Sequence, residues 1–94
     1  MKILAIEKDV ENADWSNTDD LLKQEALHVF ELYLAGTLRE IYFTETQNAV
    51  LVLETDCKES AQKLIDRLPL VQSGKIRFEV MELRPYTGLQ RLIG

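Results

Sequence analysis

The sequence holds a single cysteine, Cys57, and a single histidine, His28, among 94 residues. A lone cysteine forms no internal disulfide, and the expected setting is a reducing cytoplasm. One His and one Cys give no ligand spacing, so no metal is expected. With only 4 glycines, the chain has no glycine-rich phosphate loop. It also lacks repeats, low-complexity tracts and linkers. Positive charge is short: 11 Lys and Arg stand against 16 Asp and Glu, a net charge of −5. Nucleic acids demand clustered cations and anionic lipids repel such a chain, so neither is an expected partner. No apolar run approaches the length of a bilayer span. The opening Met1-Lys2-Ile3-Leu4-Ala5-Ile6-Glu7-Lys8 is too quickly charged to read as a signal peptide.

What is present fits one globular domain over residues 1–94, with 46% apolar and 29% charged residues. Residues 2–8 alternate as a strand. A helix is expected from Asn17-Thr18, with Asp19 and Asp20 in its first turn, where the helix dipole favours negative charge. Its stripe is Leu22, Ala26, Val29, Phe30 and Tyr33, and Gly36 ends it. Residues 37–46 and 49–55 read as strands joined by a short polar turn, a hairpin. Asp56 is the expected cap of a second helix, with Glu59 in the capping-box position. Ala61, Leu64, Ile65 and Leu68 form the stripe of that helix, and Pro69 ends it. Residues 75–83 form the last strand, stopped by Pro85.

This order, β-α-β-β-α-β, predicts an α+β ferredoxin-like domain with sheet order 4-1-3-2 and both helices on one face. Alternation assigns Leu4, Ile6, Leu51, Leu53, Phe78 and Val80 to the helix side, and Ile3, Ala5, Val50, Val52 and Met81 to the open side. An apolar patch of that size is unusual on a monomer, so the expected partner is a second copy of the chain. The tail, residues 85–94, carries Leu89, Leu92 and Ile93 without a place in so small a core, and is expected to pack on the partner subunit. The same alternation puts Glu7, Arg39, Glu54, Arg77 and Glu79 on the open face, either as rim ion pairs or as a polar pocket. A bulge in the second strand would reverse its faces.

The run Glu31-Leu32-Tyr33-Leu34-Ala35-Gly36-Thr37-Leu38-Arg39-Glu40-Ile41-Tyr42-Phe43 resembles the helix-to-strand corner of the muconolactone isomerase-like family. Leu68-Pro69-Leu70 and Leu83-Arg84-Pro85 add to the resemblance, which extends over nearly all of the chain from the first helix onward. The resemblance implies a dimeric α/β barrel in which two sheets face each other. It also implies an isomerase-like activity that shifts a proton in a lactone without a cofactor. The chain departs from the isomerase at Glu40, at Val71-Gln72-Ser73-Gly74 and in the tail Tyr86-Thr87-Gly88-Leu89.

Glu7 and Glu54 are the candidate catalytic carboxylates, since two buried together would raise one pKa and supply a base. His28 is a third candidate, able to carry a proton near neutral pH. Arg39 or Arg77 would bind the carboxylate of a small organic acid in a two-pronged contact. Tyr42 would add a hydrogen bond, and Trp15 would serve as a lid. Cys57 reads as structural, because Asp56 and Glu59 oppose its thiolate. Three functions are weighed: an enzyme of small organic acids or lactones, a non-catalytic oligomeric binding module, and a cofactor-free monooxygenase.

Overall fold

The computed structural model describes residues 1–94. Its elements run β1 (Lys2–Asp9), α1 (Asp19–Leu34), β2 (Leu38–Phe43), β3 (Ala49–Glu54), α2 (Lys58–Asp66), α3 (Pro69–Gln72) and β4 (Ile76–Leu83), then a 3-10 turn at Gly88–Leu92. The sheet order is β2-β3-β1-β4, and every neighbouring pair is antiparallel. Taken from the other edge this is the expected 4-1-3-2 order. No helix is long and apolar enough to cross a membrane.

Local chemistry sets the boundaries. Thr18 occupies the α1 N-cap, but its hydroxyl donates to the Trp15 carbonyl at 3.0 Å instead of capping the helix. Gly36 follows α1 at φ 80, a conformation that costs glycine little. The expected Asp56 cap is corrected: Cys57, in extended conformation, is the N-cap of α2, and no side chain caps it. Pro69 stops α2 and also opens α3 at its first position. Its ring pushes Leu68 into an extended conformation, so the chain must turn before it can coil again.

The core joins Ile3, Ala5, Leu38, Leu51 and Leu53 of the sheet to Ala61, Ile65 and Leu68 of the α2 segment. Strand pairing sets Ile3 opposite Leu53 and Ala5 opposite Leu51. The helix side therefore carries Ile3, Ala5 and Glu7, and the expected faces of β1 are reversed. The open face holds Leu4, Ile6, Val50, Val52 and Met81 at its centre. Val52, Leu4 and Met81 are direct neighbours across three strands. Around them stand Lys2, Lys8, Glu54, Arg77 and Glu79, with Lys8 Nζ 3.4 Å from Glu79 Oε2.

A bulge falls between Leu38 and Glu40 of β2. Leu38 and Ile41 both face the helices, and Arg39 is the extra residue between them. Beyond β4 the chain runs outward. The molecule measures 59 × 28 × 22 Å, with a radius of gyration of 15.4 Å, against about 12 Å for a compact chain of this length. Leu89, Leu92 and Ile93 are left exposed, Ile93 to 89%.

Candidate active site

The apolar stripe of α1 faces the sheet, yet α1 buries none of its residues. The helix stands off, and a cavity of ≈ 610 Å³ remains between α1 and the sheet. That is the size of a small-molecule pocket. Of its 14 lining residues 12 are hydrophobic, and the other two are Glu7 and Glu25. Ala49, Leu51 and Phe78 line it from the sheet, Leu22, Ala26, Val29, Phe30 and Tyr33 from α1, and Leu70 from α3. Along the β2 edge the cavity opens between Ile41 and Phe43 and the helix; Phe43 is 69% exposed.

Each carboxylate is held by a backbone N–H. The β1–β3 ladder ends at the pair Ile6–Val50. One step further, the Ala49 N–H donates to Glu7 Oε1 at 3.2 Å, so a side chain takes over where the strand pairing stops. Glu25 lies on α1, three residues after Leu22 and four before Val29, hence within the apolar stripe. Its Oε1 accepts the Leu70 N–H at 3.0 Å, which ties α1 to the first turn of α3. Burial holds the Glu25 carboxyl above its ordinary pKa; the Leu70 N–H and His28 pull it back, and the charge of Glu7 pushes it up further. Two carboxyl groups that line one apolar cavity can divide the roles of acid and base between them.

The other candidates from the sequence are dispersed. Glu54 lies on the opposite face from Glu7, and its Oε1 is 3.4 Å from the N-terminal ammonium. The expected Glu7–Glu54 pair does not form, because β1 presents its other side to the helices. Arg39 is exposed at the bulge, with its Nε donating to the Gly36 carbonyl. Arg77 sits on the open face opposite Lys8. Neither guanidinium lines the cavity, so the expected carboxylate clamp is not assembled there. Tyr42 points to the open side and donates to Glu40 Oε1 at 2.9 Å, a bond that raises its phenol pKa. His28 is exposed on the flank of α1 towards Pro69 and Arg67, outside the cavity but near enough to bias Glu25. Trp15 is 47% exposed in the β1–α1 loop and does not line the cavity. Glu25 is the residue that sequence reasoning missed, and its signal was a carboxylate inside an apolar helical stripe.

A second hollow, of ≈ 690 Å³, lies at the other end of the sheet among Met1, Glu54, Glu82 and Arg84. Its carboxylates are already paired, Glu54 with the N-terminal ammonium and Glu82 with Arg84 at 3.0 Å. That pairing leaves them no free charge for chemistry.

No protein-family model matches the chain, and no curated protein matches it either. Among solved structures, it is similar to 5-chloro-2-hydroxyhydroquinone dehydrochlorinase, TftG, from Burkholderia phenoliruptrix AC1100, in complex with 2,5-dihydroxybenzoquinone. The match has a TM-score of 0.63 at 14% identity and covers 89% of this chain and 94% of that one. The two share a ferredoxin-like fold. Identity this low carries the fold alone. The cavity lies between the helices and the side of the sheet that they cover. The opposite side of the sheet is the one left uncovered.

Proposed function

We propose that the cavity under α1 is the working site of a small-molecule enzyme, in which Glu7 and Glu25 pass a proton to and from a carbon acid. One observation carries this reading: two carboxyl groups share an apolar cavity, each steered by a backbone N–H, and burial raises the pKa of one of them. In such a pair the ionised member removes a proton from carbon, and the protonated member stabilises the oxygen on which charge develops. No further group is required for a double-bond shift of this kind. TftG, named for its action on a chlorinated hydroxyhydroquinone, supports a small-molecule site in this fold. Lactones suit the proposed reaction better than free acids, since no cation lines the cavity.

The working form is a homodimer. Its support is the apolar row Val52-Leu4-Met81, flanked by Ile6 and Val50, on the side of the sheet that carries no helix; Val52 is buried and the other four are half-buried in a single chain. Residues 85–94 pack on the second copy, in keeping with the exposure of Leu89, Leu92 and Ile93 in a single chain. Proteins of this fold are typically oligomeric.

The test is deuterium exchange by NMR on a panel of enolisable lactones and cyclic enones. Wild-type protein is expected to speed exchange at the carbon next to the carbonyl, and Glu7→Gln or Glu25→Gln to slow it about 10²- to 10⁴-fold. If the double variant exchanges every member of the panel as fast as wild type, the cavity is not a proton-transfer site. A binding module without catalysis is then the better reading.

A further inference from the structure

Three features constrain what the cavity can hold. First, its charge has one sign. Its two charged lining residues are both glutamates, while Arg39, Arg77 and Lys8 all lie elsewhere. A carboxylate ligand would meet like charge with no cation in the lining to offset it. Second, each glutamate has already committed Oε1 to a backbone N–H, Glu7 to that of Ala49 and Glu25 to that of Leu70. Each Oε2 remains free for a ligand, pointed by a carboxyl group that is fixed on its other side. Third, the remaining walls are aliphatic and aromatic, with Phe30, Phe43 and Phe78 among them. Such walls suit the body of a ring compound.

Resting on the reading above, we infer that the ligand is an uncharged, mainly apolar ring compound whose hydroxyl group donates to the ionised member of the Glu7–Glu25 pair. Organic acids, the class first suggested by Arg39 and Arg77, are excluded by the same two carboxylates. A hydroxyl supplies what the free oxygens lack and brings no net charge into the apolar walls. A cation would answer the carboxylates too, but it would lose its hydration for two groups that already share their charge with backbone donors.

A matched set of probes tests this: para-propylphenol, para-propylbenzoate and para-propylbenzylammonium, bound to wild-type protein at neutral pH and followed by the amide signals of Ala49 and Leu70. The phenol is expected to shift both signals and to bind at least about tenfold tighter than the benzoate. Glu7→Gln and Glu25→Gln keep the acceptor for each backbone N–H while removing the charge, and are expected to narrow the phenol-to-benzoate ratio. Circular dichroism confirms that these variants keep their helices. The inference fails if the benzoate or the ammonium binds as tightly as the phenol, or if the variants leave the ratio unchanged. It fails equally if none of the three shifts those signals at up to about 10 mM. Selectivity for the phenol without deuterium exchange in the lactone panel would sink the catalytic reading and leave this one standing. Exchange accompanied by preference for the benzoate would do the reverse.

Discussion

Leu4 is the centre of the open face, with Val52 on one side and Met81 on the other. Replacing it with lysine tests self-association without touching the core, because Ile3 and Ala5, its neighbours in sequence, are the residues that face the helices. Full burial of a leucine is worth about 1.5–3 kcal/mol. Leu4 is already largely covered within its own chain, so at most about 1 kcal/mol per copy is the share left for a partner. A two-fold interface counts the loss twice, giving about 2 kcal/mol, or roughly a 30-fold weaker dimer. Burying two ammonium groups adds to that figure. Sedimentation velocity at micromolar protein is the assay, with circular dichroism as the check on folding. Wild type is expected to sediment as a dimer and Leu4→Lys as a folded monomer. A wild type that stays monomeric, or a Leu4→Lys that dimerises like wild type, would refute the assignment of this face.

Two further outcomes follow from other parts of the molecule. The Glu25 pKa lies above its unfolded value, so the folded state holds that proton more tightly, and stability falls as pH rises from the unfolded pKa through the folded one. Thermal melts between about pH 4 and pH 8 should show wild type losing stability over that window while Glu25→Gln, which keeps the acceptor for Leu70 N–H, stays flatter; parallel curves would show that burial does not tax this carboxylate. Removal of residues 85–94 should leave the melting of the monomer nearly unchanged, since Leu89, Leu92 and Ile93 are exposed, and should weaken association; sedimentation identical to that of the full chain would place the tail outside the interface.

The order of elements was readable because each carries its own punctuation. Gly36 at positive φ and Pro69 at the head of α3 stand where the periodicity breaks. The unbroken apolar run of β3 marks a central strand, and it pairs on both sides. The α1 stripe was readable as well, though not its meaning. Amphipathic spacing says which side of a helix faces inward but not how far the helix stands from what it faces. Here α2 is drawn onto the sheet through the buried Ala61 and Ile65, whereas α1 holds none of its residues below the surface. That difference in distance is the cavity, and no local pattern encodes it. The bulge at Arg39 is equally silent in sequence, yet it moves Arg39 out of alternation with Ile41 and Phe43.

The parity of β1 decides more than packing. Ile3-Leu4-Ala5-Ile6 is apolar on both sides, so hydrophobicity permits either face to turn inward, and a shift by one residue reverses every side chain. The residues just beyond break the tie. With one parity Glu7 lies beneath α1; with the other, Lys8 does. At that level the β1–β3 ladder has run out and the Ala49 N–H still needs an acceptor, which Glu7 supplies. Lysine has no acceptor to give, and its ammonium would leave the N–H unpaired while adding a second donor to an apolar wall. The parity that completes the backbone hydrogen bonds is therefore the one that turns a carboxylate into the cavity opposite Glu25. The strand end and the charge of the site are one choice, and Glu7→Lys should damage both together.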